Sequence, residues 1–144
     1  MAVAALLVVA LTTTLGGYRL GGNTTPVPRQ FVVVQNKVAT GPAALTENAT
    51  PAYLSSRPAP FCARRGCEVA RSQLWSGSPL RAICKVHGAE MTNEDLASAG
   101  VARNPEGVVS SLWYRCTFAN GVVGYLSEVD VAPAYRGGLG LPPC

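Results

Sequence analysis

The chain has 144 residues, a net charge of +4 and 48% apolar residues, which leaves room for one modest folded domain beside an apolar N-terminus. Ten arginines and two lysines oppose eight acids, and this charge is too small and too dispersed to predict a nucleic-acid partner. The arginine bias, with abundant Ala, Gly, Val and Pro, indicates a GC-rich genome and therefore a bacterial source.

Residues 1–18 form an apolar segment that predicts a signal peptide or a membrane anchor. Residues 2–18 carry no charge and are shorter than the roughly 20 residues that a spanning helix needs. The first positive charge, Arg19, follows this run, and this order favours a cytoplasmic location for the rest of the chain. We give the cysteines more weight, and cleavage and anchoring both stay open. Residues 19–30 contain glycines and prolines and predict a flexible tether, so any membrane contact is expected only through the N-terminal segment.

Five cysteines are many for so short a chain. Together with an export-like N-terminus, they predict a disulfide framework with one thiol left over. This pattern favours an extracellular or cell-envelope location, either secreted or membrane-anchored. The cysteines are Cys62, Cys67, Cys84, Cys116 and Cys144.

Residues 31–144 contain short β-rich runs separated by turn residues, which predicts an all-β domain with an N-terminal extension. The β-branched run at residues 31–39 predicts a first strand. Residues 43–47 are compatible with one helical turn that Pro51 would end. Residues 54–60 have the composition of a loop.

The middle of the chain predicts two further strands and one long loop. A strand begins at Glu68, and a turn follows at residues 75–79. Alternating apolar and polar residues at 80–86 predict a strand that ends at His87-Gly88. Residues 89–107 are polar and predict the longest loop, with a helical turn within its residues 92–97.

Residues 112–133 predict two strands joined by a tight turn at Asn120-Gly121. Side chains alternate between the two faces of a strand, so the residues of the first strand divide into two sets. One face carries Tyr114, Cys116 and Phe118, and the other carries Trp113, Arg115 and Thr117.

Several of these motifs together resemble the closing half of a bacterial Src homology 3 domain. That family has a Trp-Tyr strand, a tight turn, and a strand end with Gly-Tyr, then Val, Ile or Leu, then Ser, which leads into a short helical turn. The resemblance covers about residues 67–144 and implies a small, partly open SH3-like β-barrel, here with long loops and disulfide staples. The motifs that carry it are residues 112–115, 121–124 and 124–129, with weaker similarity at 76–80, 84–86 and 137–144.

The resemblance also implies a cysteine pairing, because the terminal cysteine of secreted members returns to the middle strand. It implies Cys84–Cys144, with Cys62–Cys67 as a local clip and Cys116 as the free thiol. On the residues alone, a Cys84–Cys116 bridge across adjacent strands stays open and would leave Cys144 free for a partner chain.

Trp113 and Tyr125 are the main candidates for ligand binding. An aromatic pair near a strand end can form a stacking surface for a sugar or an extended peptide. Trp75 is a further candidate for stacking, and Arg115 and Glu128 are candidates for orienting the ligand. In the alternative interpretation, Tyr125 belongs to the core and Trp113 is half-buried packing.

The remaining polar residues do not predict an enzyme, a cofactor or a metal site. His87, the only histidine, is expected in solvent at a strand end. Glu90, Glu94 and Asp95 could be taken for glycosidase carboxylates, but we expect them in a solvated loop without apolar neighbours to raise a pKa. Asp130 stands where the resembling family carries a second tyrosine, which removes one aromatic from the usual groove.

These observations predict a non-catalytic exported binding module that recognises peptidoglycan or a wall-associated peptide at the bacterial cell envelope. One alternative is a structural domain that docks onto a partner protein or pairs with it through a free cysteine. Another is a cytosolic zinc module, because Cys62, Cys67, Cys84 and His87 have near zinc-ligand spacing.

Overall fold

The computed structural model describes residues 30–144. The expected signal peptide or anchor and nearly all of the expected tether lie outside these residues; Gln30 alone is described, and it begins the first strand. Within residues 30–144, no helix has the length and apolarity that crossing a bilayer requires.

Residues 30–144 form eight strands and one short α-helix, with 3₁₀ turns at Val101–Arg103, Glu128–Asp130 and Pro133–Tyr135. This part of the chain is therefore mostly β, which agrees with the predicted class in its main feature. In chain order the elements are β1 Gln30–Val33, β2 Lys37–Thr40, β3 Ala44–Glu47, β4 Ala52–Ser55, α1 Cys62–Arg65, β5 Glu68–Leu74, β6 Pro79–Thr92, β7 Val109–Thr117 and β8 Val123–Ser127.

Six strands form one curled half-barrel sheet in the order β1-β6-β7-β8-β4-β5, and β2 pairs with β3 in a separate hairpin. All the strand pairings are antiparallel. The outer edge of β1 is covered by the chain that follows β8. There, Gln35 N donates to the Asp130 carbonyl at 2.8 Å and Ala132 N donates to the Val33 carbonyl at 2.9 Å. This pairing protects an edge that would otherwise expose unpaired backbone groups.

The core lies on the concave side of the curled sheet and follows the predicted alternation of β7. Tyr114 and Cys116 are fully buried, and Phe118 packs against the edge of the same cluster. Tyr114 lies opposite Leu126 of β8 and Cys116 lies opposite Gly124, so β7 and β8 contribute matching positions to one core.

One disulfide is local, and the other ties a distant segment to the sheet. Cys62–Cys67 closes the loop around α1, and Cys84–Cys144 ties the C-terminal tail to β6. This is the pairing that the resemblance implies. The alternative Cys84–Cys116 bridge is wrong, because Cys116 is the free cysteine and is enclosed between β6 and β8.

Three secondary-structure expectations are wrong in the first half of the chain. Residues 31–39 are not one strand, because they divide between β1 and β2, which belong to different sheets. Residues 44–47 form strand β3 instead of a helical turn, because they pair with β2 from Lys37↔Glu47 to Thr40↔Ala44. The segment 54–60 is only partly a loop, since Leu54 and Ser55 belong to β4. Cross-strand pairing overrides local propensity in the last two cases.

The strand that was expected to end at His87-Gly88 continues to Thr92. A register shift between His87 and Met91 places a bulge there, after which β6 again pairs with β7. Gly88 is needed at the bulge, because a Cβ at this position would collide with the Pro58 carbonyl oxygen. The helical turn expected within residues 92–97 occurs later, at Val101–Arg103.

Two buried asparagines fix the loop between β6 and β7. Asn93 Nδ2 donates to the Glu106 carbonyl at 3.1 Å, and its Oδ1 accepts from Val108 N at 2.7 Å. Asn104 Nδ2 lies within 3.2 Å of three carbonyls at the β2–β3 turn, and its Oδ1 accepts from Glu106 N at 2.9 Å. Buried amides with satisfied hydrogen bonds make a loop part of the fixed structure. The loop and the β2–β3 hairpin therefore form one rigid unit beside the sheet.

Candidate ligand-binding cleft

A cleft of about 630 Å³ opens between the sheet and the loops that flank it. One side is formed by residues 48–55 and 59–61, which include β4 and the approach to α1. The other side is formed by the end of β6 and the following loop, over residues 90–96. Side chains of β7, β8 and the 3₁₀ turn after β8 complete the lining. Volumes of this order are typical of small-molecule and peptide sites.

Three large apolar side chains at the cleft are open to solvent. Phe61 is 68% exposed, Leu96 is 75% exposed and Val109 is 55% exposed. They come from three parts of the chain: the approach to α1, the loop after β6 and the start of β7. Exposed apolar residues that line the same concavity mark a surface suited to contact with a ligand.

Phe61 is held in a backbone conformation that L-residues rarely adopt. Its φ is +60°, in the left-handed region, which costs about 1–2 kcal/mol for a residue with a Cβ. Its carbonyl accepts from Arg64 N at 3.0 Å and from Arg65 N at 3.1 Å, and the Cys62–Cys67 disulfide closes the same turn. The Tyr53 hydroxyl accepts from Ala63 N at 3.0 Å and so joins α1 to β4. The fold therefore sustains local strain while presenting an aromatic ring at the cleft.

Trp113 lies at the cleft, although its accessible surface is only 2% of the maximum. Its indole Nε1 donates to the Ala89 carbonyl at 2.9 Å, within the β6 bulge. This hydrogen bond and the burial fix the ring in place. Trp113 is thus a buried packing residue in the wall of the cleft.

Three carboxylates line the cleft: Glu90, Glu94 and Asp130. No lysine, arginine or histidine belongs to its lining within residues 30–144. Glu90 belongs to β6 and not to the loop, and both glutamates share the cleft with Met91 and Leu96. Their surroundings are therefore more apolar than the sequence analysis expected.

The fold changes the ionisation of Asp130. Burial raises the pKa of its carboxyl from 3.8 to about 7, and the positive charge of Arg136 opposes the shift only in part. Arg136 Nε is used elsewhere, since it donates to the Val131 carbonyl at 2.9 Å. Asp130 therefore presents to the cleft a carboxyl group that is about half ionised near neutral pH.

Glu128, which was expected to orient a ligand, is occupied within the protein. Its carboxylate accepts from Ser110 Oγ at 2.7 Å, from the Tyr114 hydroxyl at 3.3 Å and from Gly137 N. The Tyr114 hydroxyl also accepts from Gly138 N at 2.8 Å, and burial is the main cause that raises its pKa to about 12. Glu128 is thus part of a hydrogen-bonded junction between β7 and the C-terminal tail.

The other three expected binding residues lie away from the cleft lining. Trp75 is 46% exposed in the turn between β5 and β6. Arg115 is exposed on β7, directly opposite the half-buried Tyr125 of β8. Of the five expected binding residues, the structure brings only Trp113 to the cleft.

The zinc interpretation is wrong, because Cys62, Cys67 and Cys84 are all in disulfides and supply no thiolate. His87 is exposed, with Nδ1 3.1 Å from Ser111 Oγ. Cys116 has no exposed surface, and burial raises its pKa to about 12. The folded chain therefore cannot form a disulfide with a partner protein through Cys116.

Of the cleft lining, sequence reasoning selected only Trp113 as a binding residue and missed, among others, Tyr53, Phe61, Leu96 and Asp130. Phe61 carried the clearest signal, as a large apolar residue beside a cysteine in an otherwise polar and proline-rich stretch. Leu96 is likewise the one large apolar residue between Met91 and Val101. Comparison of the chain with protein-family models, curated proteins and solved structures finds no significant match.

Proposed function

We propose that the protein is a non-catalytic, exported binding module that holds peptidoglycan or a wall-associated peptide in this cleft at the bacterial cell envelope. A relation of the half-barrel to the bacterial Src homology 3 family is part of the proposal. The observation that carries it is the cleft itself, with Phe61, Leu96 and Val109 exposed in its lining. Large exposed apolar side chains that line one concavity are typical of a ligand-binding surface.

Two further features support this role. The disulfides fit an extracellular setting, where such bonds persist. The cleft is also largely preformed, because hydrogen-bonded asparagines fix one side and the Cys62–Cys67 clip fixes the other. A preformed site loses little conformational entropy when its ligand binds.

Retention on purified bacterial cell wall tests the proposal. We expect the protein to be retained, and Phe61→Ala to reduce retention at least tenfold, because the substitution removes an exposed apolar contact of the cleft. Phe31→Ala is the matched control: Phe31 is 63% exposed on β1 and does not line the cleft. Both variants should keep the wild-type melting temperature to within a few degrees, since neither ring is buried. The proposal fails if the wild-type protein is not retained, or if the two variants lose retention equally.

A further inference from the structure

The sign of the charge in the cleft is opposite to that of the protein. The chain has a net charge of +4, yet the cleft is lined by three carboxylates and by no cationic side chain of the described residues. Complementary charge between a site and its ligand is a general feature of recognition, and an anionic ligand would here meet two glutamates and a partly ionised aspartate. The cleft therefore favours a positively charged ligand.

The three carboxylates are distributed along the cleft. Glu90 lies in the last part of β6, and Glu94 follows in the loop beyond it. Asp130 comes from the 3₁₀ turn after β8, on a different part of the chain. Two separate segments of the chain thus contribute acidic residues to one cleft.

Apolar and aromatic groups accompany these acids. Met91 and Leu96 line the cleft beside the two glutamates, and Tyr53, Phe61 and Trp113 add aromatic rings. A lysine or arginine side chain has an apolar stem and a charged head, so it needs both kinds of partner along its length. Aromatic rings add to this preference, because a cation over a ring face is attracted by about 0.5–2 kcal/mol.

The chemistry of Asp130 also favours a cationic ligand. Burial raises the pKa of its carboxyl and the positive charge of Arg136 offsets this only in part, so the ionised form is held at a cost. A carboxylate in such a place is costly unless a cation pairs with it. A bound ammonium or guanidinium group would supply that cation.

We propose that the cleft binds an extended peptide that carries a basic side chain, with the cationic group directed to Asp130 and the stem against Met91 and Leu96. This inference rests on the proposed function, since it names the chemical class that the same cleft selects. We therefore expect the cleft to bind a peptide with a basic side chain more tightly than the same peptide with a neutral or acidic side chain at that position.

Calorimetric titration of the full chain with three synthetic pentapeptides tests this inference. The peptides are blocked at both ends and differ only at the central position, which is lysine, N-acetyl-lysine or glutamate. We expect the lysine peptide to bind at least tenfold more tightly than the acetylated one, and the glutamate peptide to bind more weakly still. Nuclear magnetic resonance shifts on titration should concentrate at the cleft.

Two variants locate the selectivity. Asp130→Asn should reduce the preference for lysine over acetyl-lysine to less than threefold while leaving the acetylated peptide bound as before. Glu106→Gln is the control, because Glu106 is an exposed carboxylate outside the cleft lining. Asp130→Asn keeps the backbone carbonyl that accepts from Gln35 N, so the variant should retain the fold. Its circular dichroism spectrum can verify this.

The outcomes separate this inference from the proposed function. Equal binding of lysine and acetyl-lysine peptides in the cleft would overturn the cationic preference and leave cell-wall binding standing. A preference for lysine that Asp130→Asn does not alter would overturn the assigned role of Asp130. Loss of wall retention in the wild-type protein, together with no peptide binding, would overturn both.

Discussion

Glu128 and Asp130 belong to the same 3₁₀ turn and are separated by one residue, yet the protein treats them in opposite ways. Glu128 faces the C-terminal tail and accepts from Ser110, Tyr114 and Gly137. Asp130 faces the cleft, where burial raises its pKa to about 7. A carboxylate that is fully partnered serves the stability of the fold, whereas one left without a partner in a cavity is free to serve a ligand.

The largest effect is expected from releasing the C-terminal tail, whose Gly137 N donates a hydrogen bond to the Glu128 carboxylate. Cys144→Ser removes the Cys84–Cys144 disulfide, which joins two cysteines 60 positions apart in the sequence. We expect the free energy of unfolding to fall by about 4 kcal/mol, because the unfolded chain gains the entropy of an open loop of this length. Urea denaturation measures the change. A loss below about 1 kcal/mol would show that the tail is held by its backbone contacts alone, such as those of Lys85 with Pro142 and Cys144.

The second test compares the two acids directly. We expect Glu128→Ala to lower the free energy of unfolding by about 2 kcal/mol, because it strands the Ser110 hydroxyl and the Gly137 N–H and removes a partner of Tyr114. Asp130→Ala should not destabilise the protein at pH 8, since it removes a charge that burial disfavours. Denaturant titration of both variants under identical conditions gives the comparison. Equal losses would contradict the division of roles between the two residues.

The pH dependence that Asp130 contributes is small for each pH unit but accumulates between its two pKa values. Its pKa is raised from 3.8 to about 7 in the folded chain, so between these values the unfolded chain has released a proton that the folded chain still holds. Deprotonation therefore favours unfolding, and stability should fall by up to about 1 kcal/mol per pH unit from pH 4 to pH 7. Below this window and above it, Asp130 adds no slope.

Stability curves of the wild-type protein and Asp130→Asn, measured from pH 4 to pH 8, isolate this contribution. The difference between the two curves should change with pH in that window and then become constant. Arg136 is the charged group that acts on Asp130, Glu90 and Glu94 line the same cleft, and all three are common to both proteins. A difference that does not vary with pH would show that Asp130 ionises at its ordinary pKa.

The sequence predicts the β-hairpin at residues 112–133 well, because alternation and an Asn-Gly turn are local signals. It also separates the two faces of β7, placing Tyr114 and Cys116 on the side that becomes the core. It fails at residues 44–47 and at the end of β6, where pairing with distant segments decides the structure. Local propensity carries no information on these partners.

The cleft was harder to predict than the fold for the same physical reason. Its acids come from positions 90, 94 and 130, and its exposed aromatic comes from position 61, so only the folded chain brings them together. Aromatic character pointed correctly to Trp113 but also to Trp75 and Tyr125, which lie elsewhere. Asp130 was noticed as a missing aromatic, and its chemistry depends on a burial that no local pattern encodes.

The burial of Cys116 has a practical consequence for the study of motion in this protein. Its thiol is enclosed where β7 lies between β6 and β8, and its raised pKa leaves almost no thiolate at neutral pH. Alkylating reagents can therefore reach it only when these strands separate. The rate at which the native protein becomes labelled thus counts opening events of the central sheet, without any engineered probe. The same rate, measured with and without ligand, reports whether an occupied cleft slows the opening of the strands behind it.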